Sequence, residues 1–544
     1  MERWVVGISF FALLLSWPVL RAQERPKGER APSCAEFAPA KKQVGGKSIG
    51  VEECSVISEE VVSDIKGQRF RRLELRISGT LEGWFARGGP RGNYFNDAPD
   101  FVFTQSGNTG QRFKGIARYE GRTGHGISLF FPENPSNWNG KLYVTAHGAG
   151  PYGSVRTLLP RDSNADFNPM TNVNRYVGLM IDKGYAVAHT MRSSQRIGGD
   201  VAATLEDGTK VEKLNVSSHA GFIAAFTKLT ENLLEKKLGR KPQRTYFYGF
   251  SAGGFLGRLI QYHVGFNRND DGSPLFDGFL LDDAGGGMWL PVLMIDGKDT
   301  LFVREDDKKS FVPQIDISHQ LYAGETNDYL AKKRENTKIL KQKGLASRHR
   351  MYEIKGVSHF DAGQVSRPDL AFQSLDLGGL IDSLIDLLDG WVEHRKDPPP
   401  TKSDLPELGE VVREGGNKNP AIALPEIACP LGVYHIFPSA LGKGRRAGQE
   451  TAFAPFDGVN LEPLDGRGEF VDMNGNGIRD KRETVAQAWR RLGLLKAGEK
   501  FTQSKYVACV AHAAAQLVEE GLLAPRLLPY YVRTAAAQRI GEER

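Results

Sequence analysis

The sequence predicts an α/β protein: a mainly parallel sheet with helices on both faces, preceded by a strand-rich segment and followed by a helical tail. Three observations predict it. From about residue 126 to 396, short apolar strands alternate with helix-length stretches, the pattern of a parallel sheet covered on both sides. Within that region a glycine-flanked serine stands between a strand and a helix. Beyond a proline-rich break at 397–403 the composition becomes irregular and ends in helical periodicity.

The strands of the alternating region are read at Ile127–Phe131, Leu142–Ala146, Tyr185–Thr190, Tyr246–Tyr248, Phe279–Leu281, Val292–Ile295 and Met351–Ile354. Helical stretches separate them, notably His219–Leu238 and Phe255–Val264, and Leu375–His394 reads as a closing helix from its three- and four-residue apolar steps. Upstream, residues 23–125 carry strand-like segments such as Arg72–Ile77 and Phe101–Thr104, bounded by Gly, Pro or Asn. Residues 397–406 read as a linker. The tail, 407–544, is expected to be helical around Thr484–Leu494, Ser504–Glu520 and Pro525–Ala537. Whether it stands apart or wraps onto the preceding region is open at this level.

Composition narrows the class. The chain has 544 residues, 40% hydrophobic and 25% charged, with a net charge of +6, as in a globular protein of more than one structural unit. Its Lys and Arg are dispersed among Asp and Glu, with no basic stripe interleaved with aromatics, which argues against a nucleic-acid partner. Residues 1–22 read as a signal peptide: Arg3, an apolar run from Val5 to Leu20, and small Ala22 before Gln23-Glu24-Arg25. The run is too short for a spanning helix, so no membrane span is expected in the mature chain. The expected location is outside the cytoplasm, secreted or periplasmic. Four cysteines in an exported chain suggest disulfides, and proximity favours Cys34 with Cys54 and Cys429 with Cys509. Asn215 with Ser217 matches a glycosylation acceptor, relevant only in a eukaryotic secretory pathway.

The chemistry centres on Ser251 in Gly249-Phe250-Ser251-Ala252-Gly253. A strand enters this turn and a helix leaves it, the setting of a nucleophile elbow. A serine hydroxyl needs a base to remove its proton. His359 follows the last expected strand, in Gly356-Val357-Ser358-His359, and is the candidate. An acid must orient that imidazole. Asp299, in the turn after Val292–Ile295, is the first choice, with Asp296, Asp283 and Asp282 as alternatives because the acid can also follow the preceding strand. The oxyanion requires two backbone N–H groups: one expected from Ala252, the other from Ala149 or Gly148 in the loop His147-Gly148-Ala149-Gly150.

HGAG at 147–150, GFSAGG at 249–254, IDGKD at 295–299 and GVSH at 356–359 together resemble an α/β-hydrolase serine esterase, over residues 126–396. Trp138-Asn139-Gly140-Lys141-Leu142 is distantly similar to secreted tannase and feruloyl-esterase sequences, although no cysteine adjoins Ser251 or His359. The tail 501–537 resembles the end of a family of exported α/β-hydrolase-domain proteins. The resemblance implies an α/β-hydrolase fold and cleavage of a carboxylic ester, small or polymeric, through an acyl-enzyme, with no cofactor for catalysis. An amidase or peptidase with the same residues is the alternative, then a non-catalytic, calcium-stabilised binding protein on a hydrolase scaffold.

The calcium in that last reading comes from 472–483. Asp472, Asn474, Asn476, Asp480 and Glu483 supply oxygens at positions 1, 3, 5, 9 and 12, Gly477 occupies position 6, and the Ile478 carbonyl falls at position 7. That is the spacing of an EF-hand-like loop, single here, and so expected to hold a structural Ca²⁺.

Overall fold

A computed structural model of the chain describes residues 33–37, 42–44, 47–49, 53–63, 68–83, 101–105, 111–113, 119–147, 175–191, 196–199, 203–204, 210–211, 214–217, 219–262, 267–269, 271–284, 293–295, 298–302, 311–320, 334, 337–338, 340–357, 359, 361, 374–403, 421–435, 452–455, 484–538 and 540. The expected signal peptide, the loop 148–150 with its oxyanion candidates and the calcium loop 472–483 lie outside them. Among the described residues no helix is long and apolar enough to cross a membrane.

The centre is one eleven-stranded sheet. Its strands are β1 (Lys42–Val44), β2 (Lys47–Ile49), β3 (Glu53–Ser63), β4 (Arg69–Gly83), β5 (Tyr119–Pro132), β6 (Lys141–His147), β7 (Ala186–Met191), β8 (Arg244–Phe250), β9 (Gly278–Asp282), β10 (Gln314–His319) and β11 (His349–Ile354). Their order is β1-β2-β4-β5-β7-β6-β8-β9-β10-β11, with β3 paired to β4. From β7 to β11 every pairing is parallel. From β1 to β5, and between β5 and β7, pairing is antiparallel. The N-terminal strands from Lys42 to Gly83 therefore extend the main sheet, whereas Phe101–Gln105 and Gln111–Phe113 belong to a separate six-stranded sheet. The parallel strands carry apolar runs because both their faces are covered: every residue of β9 and β10 is buried.

The covering helices are α1 (Arg175–Asp182), α2 (His219–Leu238), α3 (Ala252–Tyr262) and α4 (Gly378–His394). α4 buries Leu380, Ile381, Leu384, Ile385, Leu388 and Trp391, a stripe at helical spacing that seals one face. α2 matches its expected bounds to the residue.

One strand differs from expectation. Val292–Ile295 reads as a strand of the central sheet, but Leu293–Ile295 belongs to a separate six-stranded sheet. The central position is filled by β10, whose sequence Gln314-Ile315-Asp316-Ile317-Ser318-His319 contains only two aliphatic residues.

The tail folds onto the same core. Beyond the short helix Pro425–Ala428, its helices are α5 (Val485–Arg491), α6 (Gln503–Glu519) and α7 (Leu528–Ala537). Thr484 starts α5 with a capping box, its hydroxyl accepting from Gln487 N while Gln487 accepts from Thr484 N. Trp489, Phe501, Tyr506 and Val510 share one apolar cluster with Leu380, Leu384 and Trp391 of α4. The expected linker also has a structural job: Lys402 pairs with Tyr352, and further on Ile422 with Ile354, along the open edge of β11. Covering that edge satisfies N–H and C=O groups that would otherwise invite another chain. Two disulfides, Cys34–Cys54 and Cys429–Cys509, pair the cysteines as proximity suggests. The second ties the segment after Ile422 to α6.

Candidate active site

The parallel strands end on one edge of the sheet, and Ser251 and His359, two of the side chains expected to carry chemistry, meet there, as is general for open α/β sheets. β8 ends at Phe250, α3 begins at Ala252, and Ser251 between them has φ 55°. A positive φ at a non-glycine residue is strained and is held only where the surroundings fix it. Here Ser251 N donates to the Asp282 carbonyl at 2.8 Å. The flanking glycines are required by close approach: a Cβ on Gly253 would collide with the Ala146 carbonyl of β6, and one on Gly249 with the backbone of Gly253. The turn can be this tight only without those side chains.

Ser251 is half-buried, and its Oγ lies 2.8 Å from His359 Nε2. Nδ1 of the same ring lies 2.6 Å from Asp283 Oδ2. His359 follows β11 and stacks on Phe250 with ring centroids 5.0 Å apart, so the residue before the serine also seats the imidazole. With Asp283 accepting from Nδ1–H, Nε2 is left as the acceptor facing the hydroxyl. A hydroxyl, an imidazole and a carboxylate in this row can draw a proton off the hydroxyl and stabilise the ring that receives it.

The carboxylate beside His359 is thus not Asp299, the first choice from sequence. Asp299 lies in the strand Lys298–Phe302 of the six-stranded sheet, opposite Met294, because the strand before it is not part of the central sheet. Asp296 lies outside the described residues. Asp283, one of the alternatives, directly follows β9, the neighbour of the serine's strand. It too has a positive φ, 42°. Its N–H donates to the Ile317 carbonyl at 3.0 Å, and its Oδ1 accepts from His319 N at 3.1 Å. Of the oxyanion candidates, Ala252 opens α3, where free N–H groups and the helix dipole favour negative charge.

Two further ionisable residues meet this row. Asp282, the other alternative acid, accepts from Tyr248 Oη at 2.7 Å and lies 3.0 Å from His319 Nε2. His319 is fully buried, and its second ring nitrogen is 3.0 Å from the His359 carbonyl oxygen. Burial acts to lower the pKa of His319, but Asp283 and Asp282 outweigh it and push the ring up to about 9. Sequence reasoning missed His319 because its strand was missed. The available signal was the period-2 alternation Ile315, Ile317 between polar residues. Another histidine, His189 within β7, is buried with Nδ1 2.7 Å from Thr145 Oγ1.

A sheet whose parallel half is covered on both faces, with ionisable groups at the C-terminal ends of its strands, has the architecture of an α/β protein with a ligand site at that edge. The chain belongs to the alpha/beta hydrolase domain family, whose model matches residues 171–533. The matched range spans Ser251, Asp283 and His359 and extends past the expected linker into α7.

Solved structures that match part of the chain include TT1662 from Thermus thermophilus, 16% identical with a TM-score of 0.25, covering 49% of this chain and 94% of that one. Another is carboxyl esterase 2 from the mycorrhizal fungus Tuber melanosporum, 14% identical with a TM-score of 0.30, covering 48% and 80%. A third is LpqC, a poly(3-hydroxybutyrate) depolymerase from Bordetella parapertussis, 13% identical with a TM-score of 0.29, covering 51% and 88%. No curated protein sequence matches the chain.

Proposed function

We propose that this protein is an exported serine hydrolase that cleaves a carboxylic ester through an acyl-enzyme. The observation that carries the reading is the unbroken row from Ser251 Oγ to His359 Nε2 at 2.8 Å and from His359 Nδ1 to Asp283 Oδ2 at 2.6 Å. In the proposed reaction Ser251 Oγ attacks the ester carbonyl carbon while His359 takes its proton. The tetrahedral oxyanion accepts from the amide of Ala252 and from a second amide at Ala149 or Gly148. His359 returns the proton to the departing alcohol. Water, deprotonated by the same ring, then releases the acid and restores the serine. Asp283 holds the ring's tautomer and balances its charge.

The choice of an ester rests on the resemblance of residues 126–396 to esterases. Export rests on the N-terminal 22 residues and accords with two disulfides. Ser251→Ala is expected to lower hydrolysis of a p-nitrophenyl ester by at least about 10³-fold while the circular dichroism and melting temperature are retained. Unchanged turnover would remove Ser251 from the reaction. A panel of esters and amides fixes the bond cleaved.

The residue spacing of 472–483 supports a structural Ca²⁺ site in the tail. EDTA is expected to lower the melting temperature, excess Ca²⁺ to restore it, and Glu483→Gln to abolish the response. A melt indifferent to EDTA in the wild type overturns the calcium reading and leaves the hydrolase reading untouched.

A further inference from the structure

The row Ser251–His359–Asp283 does not use His319, yet His319 touches every buried member of it. Its backbone N–H donates to Asp283 Oδ1 at 3.1 Å. Its ring Nδ1 lies 3.0 Å from the His359 carbonyl oxygen and 3.8 Å from Asp283 Oδ2. Its Nε2 lies 3.0 Å from Asp282 Oδ1. A carbonyl oxygen can only accept, so Nδ1 carries a hydrogen. The carboxylate of Asp282, accepting from Tyr248 on its other oxygen, stands 3.0 Å from Nε2 as an ion-pair partner. A ring that donates from Nδ1 and faces carboxylates at 3.0 and 3.8 Å is stabilised as an imidazolium, and a buried cation persists only when paired. Here two carboxylates pair it.

We propose that His319 is a positioning residue of the hydrolytic site: as a buried imidazolium it clamps the backbone of His359 and neutralises Asp282, leaving Asp283 as the carboxylate whose charge acts on the base. This rests on the serine-hydrolase reading. The ionisable groups around the ring come from four elements. Asp282 ends β9 and Asp283 follows it, His359 and Asp361 follow β11, Tyr248 of β8 stands behind Asp282, and Tyr176 of α1 donates to Asp361. With the imidazolium in place, the negative charge facing His359 is reduced by one. Without it, the carboxylates act together on His359 and favour its protonated form, which cannot serve as base.

His319→Asn and His319→Gln separate the two contacts. The Asn amide approximates Nδ1 and keeps a donor for the His359 carbonyl, whereas Gln approximates Nε2 and keeps a donor for Asp282. Both lose the charge. In both, the acid limb of kcat/KM is expected to move to higher pH by about one unit. Their kcat, per active site titrated with a fluorophosphonate, is expected to fall about 10- to 100-fold with KM little changed, the worth of one charge-assisted hydrogen bond. Gln should lose more, because it abandons the clamp on His359. Asp282→Asn, nearly isosteric, should move the limb the other way, to lower pH. Acid limbs coincident with the wild type in all three variants, or losses confined to KM, overturn the proposal. Ser251→Ala separates the two levels: if it keeps activity the serine-hydrolase reading falls. If it is dead and the limbs of the other variants do not move, only the role of His319 falls.

Discussion

Two buried clusters of carboxylate and histidine lie on neighbouring strands of this sheet, and only one of them faces a nucleophile. In the first, Asp282, His319, Asp283 and His359 run to the half-buried hydroxyl of Ser251. In the second, Asp316 of β10 accepts from Arg258 Nη2 at 2.8 Å, His349 Nε2 at 2.7 Å and Gln314 Nε2 at 2.7 Å. Burial alone would raise the pKa of Asp316, but Arg258 and His349 outweigh it and hold the carboxyl well below the usual range. Arg258 sits on α3, the helix that begins beside Ser251, and also reaches the Ala284 carbonyl at 3.3 Å. The second cluster thus pins the nucleophile's helix to β10 and closes on itself. A buried Asp–His pair does not by itself make a site. What distinguishes the first cluster is a strained turn that carries a hydroxyl to its open end.

The sharpest way to break that distinction is at the carboxylate. Asp283→Asn is expected to cost about 10³- to 10⁴-fold in kcat, because an amide at that place favours the wrong imidazole tautomer. Asp299→Asn should leave kcat within about twofold, as expected of a residue outside the central sheet. The reverse order, measured on one ester with active-site titration, would return the acid to Asp299 and dissolve the contrast between the clusters.

That choice also marks how far the sequence could be read. Ser251 and His359 were legible because each sits at a junction with its own pattern: glycines between a strand and a helix, and a loop after the last apolar strand. The acid was not, because β10 does not read as a central strand. Its polar residues Gln314, Asp316 and Ser318 are buried, and Asp316 is stabilised by Arg258 and His349 from 58 and 33 residues away. No local pattern announces such long-range pairing, so apolar Val292–Ile295 took that place and carried Asp299 with it. In the tail the periodicity located the helices to within a few residues. Their docking depends on complementary surfaces, such as Trp489 and Phe501 meeting α4's cluster, which one helix's periodicity does not encode.

The second cluster is tested by removing its cation. Arg258→Met leaves Asp316 buried with His349 and Gln314 alone, and breaking a buried pair in this way costs about 3–5 kcal/mol. Chemical denaturation should show that loss, while kcat per titrated active site changes far less than in Asp283→Asn. Asp316→Asn placed on Arg258→Met should recover part of the stability, since the uncompensated charge is gone. A single variant as stable as the wild type would mean that Arg258 does not hold Asp316, and the cluster would lose its role as a fastening.

The smallest expected effect separates the clusters by pH. Asp316 has a folded pKa below its unfolded value, so its stabilisation is present above about pH 4 and is lost as pH falls towards the folded value. His319 has the opposite sign: its folded pKa, about 9, lies above the unfolded value of about 6.5. Its stabilisation is complete below about pH 6.5 and is lost as pH rises through about 9. The closed cluster therefore weakens in acid and the catalytic one in alkali. Denaturation midpoints measured between pH 6.5 and 9 should fall in the wild type and stay flatter in His319→Asn, whose side chain does not titrate. Parallel curves for the two proteins across that window would mean that His319 gains no proton affinity on folding, and its ring could not be the fixed cation that balances Asp282.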